Sequence, residues 1–436
     1  MWQWKNCRLK VKTGENSAST SLSPSIFWNN NSADVRENMS IAILYEHAGT
    51  DEMGIQLTAQ KLGIDLTFIP SRKISFLLRN HDYKVKSAVR DYSEELRDVS
   101  VVLNRAQSKN RRLLVGAILE ALGKQVINPS QIEYICFSKL RTLLHFWREG
   151  VKIPATVYVP CDPKEKTRDG REISNESEIA TLIQQQLENK PIVLKPDAGS
   201  HGKNIKLAES QQQLLTILSE IGPSIINPIG VLAQELVHKW FFDLRIIVAK
   251  ERGKEAYCYP TAMARTGLND FRTNAYLGNM VFGIKLPQKI RENALKCAKS
   301  IAKDCEAWVI ALDAMIDFGE EIPIDKHIIS EFEKLAPLFN EIQRIKSQKV
   351  NKENFCSWNK KLEEAFQSYA NSEAYCNIKE EIEKSVKNME HRVVFHEANS
   401  CPDFWEQTRL AAGIDLAKQL LLCAESLLNK QACIST

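Results

Sequence analysis

Long apolar runs are missing from this 436-residue chain. None approaches the ~18 residues that a membrane-spanning helix requires, so no membrane association is expected. A strong charge of either sign is missing too. The net charge of +4 neither demands nor excludes an acidic partner, and no nucleic-acid partner is inferred from it. Closely paired cysteines are absent. The eleven that are present are scattered singly, and no spacing matches a zinc or redox site, so reduced thiols in a cytoplasmic protein are expected. There is no internal repeat. The opening MWQWKNCRLKVK leads into polar sequence and not into an apolar signal core, so no secretory signal is expected. Residues 1–38, rich in Ser and Asn from 13 onward, read as a disordered extension, with folded sequence starting at Met39.

The rest has the composition of a globular protein, 44% apolar and 26% charged, and its length favours two or three domains. Short apolar runs at Ile41–Tyr45, Leu66–Ile69, Val99–Leu103 and Gln125–Ile127 alternate with a helical pattern such as 52–62. That alternation predicts a parallel sheet in a small open α/β domain over 39–130. A second unit, 131–230, holds a helix (137–149), the strand PATVYV, a polar loop, a helix (177–189) and the strand PIVLK. A third, 231–318, opens with VLAQELV and continues as an antiparallel meander through LRIIVA and EAYCYPTAMA, then helix 288–303 and VIALDAMID. It resumes at 391–436 with VVFHEAN and a final helix from about 413. Residues 319–390 lie between. Their apolar residues recur at helical spacing in three sets (Ile328 to Phe339, Phe355 to Tyr369, Ile378 to Val386), which predicts an inserted helical subdomain. Packing on the main body is the simpler expectation for it, against a dedicated partner surface, or a wall or lid over the acceptor pocket.

Three groups of residues point to chemistry. In PIVLKPDAGSHGKNI (191–205) an apolar strand ends at Lys195 and enters a loop with Gly199, Ser200 and Gly202. Backbone N–H groups of such a loop, with a lysine beside them, suit phosphate, although Gly-Ser-His-Gly reads equally well as a hairpin turn. Asp313 is expected to end one apolar strand. Glu397 and Asn399 end another at alternate positions, hence on one face. Oxygen ligands at buried strand ends suit Mg²⁺ or Mn²⁺, while solvated strand ends would need no ion. Between these groups stand Arg245, Arg265, Arg272 and Asn274, in or beside apolar strands, where arginines need anionic partners.

The order of these groups resembles the ATP-grasp superfamily, and within it the RimK-type amino-acid ligases, including those of carrier-protein lysine biosynthesis. The resemblance spans about 39–425 apart from the insertion. It rests on NPSQIEYICFSKLRTL (128–143), PIVLKPDAGSHGKNI, AQELV (233–237), DLR (243–245), DFRTNAYLGN (270–279), LDAMID (312–317) and HEANSCPDFWEQTRLAAGIDLA (396–417). It implies an ATP-grasp fold in which 131–230 is the central lid, and 231–318 with 391–436 the C-terminal subdomain.

The resemblance also implies roles. Lys139 and Lys195 would contact ATP phosphates, and the Gly199–Gly202 loop would close over them. Gln234, Glu235, Leu236 and Val237 would form the hinge that reads adenine, with Asp243 at the ribose. Asp313, Glu397 and Asn399 would hold Mg²⁺. Arg272 and Asn274 would stabilise the transferring phosphoryl group, and Arg245 or Arg265 would anchor a substrate carboxylate. Asn399, Ser400 and Pro402 would shape the acceptor pocket. The implied reaction joins an amino-acid substrate, glutamate or another acidic one, to a carboxylate acceptor that is a metabolite, a peptide or a protein C-terminus. A homo-oligomer is left open. A phosphotransferase of the same fold and a non-catalytic nucleotide-binding regulator are the alternatives. Three departures bear on the acceptor: Gly278–Asn279 in place of a glycine pair, Asp403-Phe404-Trp405-Glu406 in place of a small glycine-containing turn, and the insertion itself.

Overall fold

The apolar run after Met39 is buried on both faces, as a strand inside a parallel sheet must be: Ile41, Ala42, Ile43 and Leu44 are all inaccessible to water. The computed structural model describes residues 40–80, 82–188, 190–199, 202, 204–222, 224, 230–268 and 279–428. The extension expected over 1–38 lies outside the described residues.

In chain order the first layer holds β1 (Ser40–Tyr45), α1 (Thr50–Leu62), β2 (Leu66–Pro70), the hairpin β3 (Ser75–Arg79) and β4 (Asp82–Lys86), α2 (Ser93–Asp98), β5 (Val99–Arg105), α3 (Lys109–Ala121) and β6 (Gln125–Ile127). Four strands form a parallel sheet in the order β2-β1-β5-β6. The hairpin was not predicted from the sequence: its strands lie mostly in solvent, and its apolar stripe is short, with Val85 buried and Phe76 and Tyr83 partly covered. Next come α4 (Ser130–Phe137) and α5 (Lys139–Arg148), where the sequence predicts a single helix from 137. The division falls at Ser138, whose hydroxyl caps α5 by accepting from the Arg141 amide at 3.1 Å.

The second layer is an antiparallel sheet in the order β7-β10-β8-β9, built from β7 (Thr156–Val159), β8 (Ile192–Lys195), β9 (Lys206–Ala208) and β10 (Val231–Glu235). Helices α6 (Glu176–Gln186) and α7 (Gln211–Ser219) bury Ile179, Ile183, Leu214 and Leu218 against it. The third sheet is antiparallel in the order β14-β13-β11-β15-β16, with β12 off its path. Its strands are β11 (Phe242–Lys250), β12 (Tyr257–Cys258), β13 (Thr261–Thr266), β14 (Val281–Lys285), β15 (Trp308–Ile316) and β16 (Val393–Asn399). Pro260 divides the expected strand EAYCYPTAMA into β12 and β13, because it has no N–H for the ladder. Helix α8 (Gln288–Ala302) precedes β15.

Between β15 and β16 stand three helices, α9 (Lys326–Lys346), α10 (Phe355–Ala370) and α11 (Glu373–Asn388). Their roots meet where Asp317 N–H donates to Arg392 C=O at 3.1 Å. The predicted apolar sets are buried and continuous with the main core. Phe332 meets Phe241 and Phe282 edge-on, and the Tyr375 ring stacks on Phe282. The Tyr375 hydroxyl accepts from Gly283 N–H at 2.8 Å. The three helices therefore cover the β13–β14 side of the third sheet. Helices α12 (Thr408–Ala412) and α13 (Leu416–Leu428) end the described chain, separated at Gly413, whose φ of 67° is the left-handed cap that stops α12.

Candidate active site

A cavity of about 1160 Å³ opens among the three sheets. Its wall includes Lys139, Lys195, Gly199, Gly202, Gln234, Glu235, Leu236, Val237, Asp243, Arg245, Arg265, Asp313, Glu397 and Asn399, so residues scattered over 261 positions of sequence share one space. Ser200, Arg272 and Asn274 lie outside the described residues.

Strand register explains much of this convergence. Asp243 pairs across β11–β13 with Arg265, Arg245 across β11–β15 with Asp313, and Asp313 across β15–β16 with Glu397. A row of charges thus crosses the sheet on one face: Arg265, Asp243, Arg245, Asp313, Glu397. Directly opposed residues have Cβ atoms only ~5 Å apart, so such a row is stable when signs alternate. Arg245 grips both Asp313 oxygens at 2.9 Å. Arg265 grips Asp243 at 2.6 and 2.9 Å and reaches Asp313 at 3.3 Å. Burial alone would raise the Asp313 carboxyl, but these two guanidinium groups outweigh it and hold it well below the usual carboxylate range. Both arginines are thereby committed within the protein. Arg245 keeps 17% of its side chain exposed against 3% for Arg265.

Glu397 breaks the alternation. Among the described residues it has no hydrogen-bond or ion-pair partner. Burial pushes its carboxyl up, while the Lys139 and Lys109 ammonium groups overcome that and hold it below the usual range. Asn399 donates its amide N–H to Asp313 at 3.4 Å, which leaves its carbonyl oxygen toward other partners. No three His, Cys, Asp or Glu among the described residues form a metal cage. Two carboxylates and an amide form a partial oxygen set, the kind that Mg²⁺ completes with water and phosphate, so the residues fit that ion.

The register slips one residue between Asp313 and Ala314, and the extra residue is His396. This bulge turns His396 into the cavity alongside Glu397. Burial, with Lys195 acting in the same direction, lowers its imidazole to about 4, so it is neutral at pH 7.

On the second sheet, Lys195 ends β8 beside hinge strand β10, opposite Leu232. Burial drops its ammonium to about 8. Lys139 donates to the carbonyls of Pro196 and Gly199 at 3.2 and 2.6 Å. Asp197, which sequence reasoning missed, stitches α5 to this loop by accepting from the Ser138 hydroxyl at 2.8 Å and the Leu140 amide at 2.9 Å. In the hinge, the amides of Glu235 and Leu236 are taken by Ala155 and Pro191 carbonyls at 3.0 and 2.9 Å.

Residues 165–317 match the family model of the RimK-like ATP-grasp domain. The chain carries a RimK-like ATP-grasp domain. Alpha-aminoadipate–LysW ligase LysX of Sulfurisphaera tokodaii is 26% identical over 259 residues, 59% of this chain and 80% of that protein. Glutamate–LysW ligase ArgX of Sulfolobus acidocaldarius is 26% identical over 245 residues, 55% of this chain and 75% of that protein. D-alanyl-alanine synthetase A from Vibrio cholerae superposes with a TM-score of 0.51, covering 90% of this chain and 99% of that one at 9% identity, a likeness of fold alone. The chain is an ATP-grasp enzyme of the carboxylate–amine ligase class.

The far wall of this ATP-grasp cavity comes from the first sheet, the Ser400–Gln407 loop and the insertion. Ser400 donates to Glu133 at 2.7 Å, and Arg112 pairs with the same carboxylate at 2.7 Å. The departing segment Asp403–Glu406 is clamped from both sides. Asp51 accepts from the Phe404 and Trp405 amides at 3.2 and 2.8 Å, and the Trp405 indole donates to Asn359 of α10 at 2.9 Å. Its ring lies so close to α1 that a Cβ on Gly54 would fall 2.1 Å from it. Lys346 of α9 pairs with Glu406 at 3.2 Å. Ile322, Ile324, Ile329, Gln343 and Lys346 all line the cavity, so the helices between β15 and β16 are packed on the body and form part of the site wall as well. No helix among the described residues is long and apolar enough to cross a membrane.

Proposed function

We propose that the chain uses ATP and Mg²⁺ to phosphorylate the carboxylate of an acceptor and then joins that acyl group to the amine of glutamate or another acidic amino acid. The observation that carries this reading is the charge row that ends at an uncommitted Glu397, flanked by lysines. It offers a phosphoryl-transfer site of fixed geometry. LysX and ArgX are named for ligating alpha-aminoadipate and glutamate to LysW, which supports an acidic amino acid as one substrate. The acceptor carboxylate would belong to a metabolite, a peptide or a protein C-terminus.

Adenine would sit against the hinge Gln234–Val237. With the Glu235 and Leu236 amides already engaged, its ring edge would meet the Val237 end. Lys195, Lys139 and the Gly199–Ser200–Gly202 loop would hold the phosphates. Asp243, fixed by Arg265, would border the ribose. Asp313, Glu397 and Asn399 would hold Mg²⁺, which when bound offsets charge on the phosphoryl oxygens. Arg272 and Asn274 would act on the charge that develops there. A carboxylate oxygen attacks the γ-phosphorus. The new O–P bond forms as the bond to the β-phosphate oxygen breaks, and ADP leaves. The amine then attacks the acyl carbon, the C–N bond forms, the C–O bond breaks, and phosphate departs while the amine proton passes to solvent. Arg265 is a positioning residue, keeping Asp313 ionised and aimed. The more exposed Arg245 would share that task and reach a substrate carboxylate.

Incubating the pure protein with ATP, Mg²⁺, each amino acid and a cell extract tests the reading. A new mass equal to acceptor plus amino acid less water is expected, with phosphate released only when both substrates are present. A phosphorylated product without an amide would instead make it a phosphotransferase, and no turnover would make it a nucleotide-binding regulator.

A further inference from the structure

We propose that Lys109 is the anchor for the acceptor's carboxylate, holding it from the first-sheet side of the cavity while Lys139 and Lys195 hold nucleotide phosphates from the second-sheet side. This deepens the ligase reading and rests on it. Lys109 is the first residue of α3 and lines the cavity, yet its ammonium is buried with no hydrogen-bond partner. Its charge is offset by the nearby Glu397 carboxylate, but its N–H donors are unspent, and buried donors left unmade are unfavourable, so the site suits an anion that arrives from outside. The neighbouring cations are already taken. Arg105 is held by Asp51 at 2.8 Å and by the Pro402 carbonyl at 3.3 Å. Arg112 is held by Glu133, and Lys346 by Glu406.

Lys109 is also fixed in place. Ser108 caps α3 by accepting from Arg111 N–H at 3.4 Å, and its own amide donates to Glu46 at 3.2 Å. Arg111 pairs with the same glutamate. The ammonium is near enough to Glu397 to help keep that carboxylate ionised. Glu397 thus lies within the field of both Lys139 and Lys109. That suits the chemical problem. A phosphate and a carboxylate repel each other, and a cation on each anion offsets the repulsion as they approach. The arginines first expected to anchor a substrate carboxylate already hold Asp243 and Asp313, whereas Lys109 makes no hydrogen bond. The ligand class is therefore an acidic acceptor whose reacting carboxylate reaches the base of α3.

The test is calorimetry on the full chain saturated with ADP and Mg²⁺, using glutarate as the probe for an acidic acceptor. Wild type is expected to bind glutarate. Lys109→Met should weaken it about tenfold or more, the loss of a charge-assisted hydrogen bond. Lys109→Arg should keep glutarate binding within about threefold of wild type, since the charge is restored. ADP affinity should be unchanged in both variants, and the urea midpoint of Lys109→Met should stay close to that of wild type, because no hydrogen bond of the folded chain has been removed. The proposal is overturned if Lys109→Met binds glutarate as wild type does, if wild type binds none, or if glutarate, ADP affinity and the urea midpoint all fall together. Failure of the ligase reading shows elsewhere, as the absence of any amide product, whatever the glutarate result.

Discussion

Nucleotide affinity should depend on pH through Lys195. Burial lowers the free ammonium to about 8, with Lys139 and Lys239 adding to that and Glu397 opposing it. A bound triphosphate favours the charged form. A charge-assisted hydrogen bond of ~1.5–3 kcal/mol raises the bound-state value by about 1–2 units at 1.36 kcal/mol per unit. The sign follows directly. Binding prefers the protonated lysine, so affinity is full below pH 8. It falls as pH rises from 8 toward about 9–10, and levels off roughly 10- to 150-fold weaker. Calorimetric titration of a non-hydrolysable ATP analogue from pH 7.5 to 10.5 at constant ionic strength reads this curve. Lys195→Met should begin at the weak plateau, with most of the slope gone. A flat wild-type curve, or a variant that keeps the full slope, would refute the assignment of Lys195 to the phosphates.

Asp313→Asn leaves Arg245 without its anionic partner and Arg265 with Asp243 alone, and should cost about 3–5 kcal/mol in urea unfolding. The wild-type contribution is complete above the unfolded carboxyl's ~3.9 and is lost as pH falls through the lower folded value, so the two proteins should converge in strong acid. Trp405→Ala empties a site 3% exposed between α1 and α10 and should cost about 3–5 kcal/mol by the same measurement; a loss under 1 kcal/mol would mean that the clamp is loose. Replacing 322–388 with a short glycine linker uncovers Phe241, Phe282 and Trp405, so the shortened chain is expected to aggregate; a soluble, nucleotide-binding product would show the helices to be dispensable. Arg272→Ala should lower kcat while leaving the analogue's affinity nearly intact, and a normal kcat would reject its proposed action on the transition state.

By itself the sequence determined what is local. Alternating apolar runs and helical patterns specify the sheets and the helices between them, because period-2 and period-3.6 patterning are properties of consecutive residues. Motif order marked the lysine, glycine-loop and carboxylate positions that line the cavity. The sequence likewise put Glu397 and Asn399 on one face, since residues two apart on a strand point the same way. Partnership was decided only by the tertiary structure. Arg245 faces Asp313, 68 residues away in sequence, and Arg265 is spent on Asp243, because strand register sets those pairs and register is not written in composition. His396 enters the site through one extra residue in β16, which leaves no trace in an apolar pattern. Lys109 drew no reading from the sequence, and only the folded chain brings its buried ammonium near Glu397. The Asp403–Glu406 segment and the three helices after β15 read as two separate irregularities. The fold joins them through Trp405, Asn359, Lys346 and Glu406, because an indole that size stays dry only when both sides of it are covered.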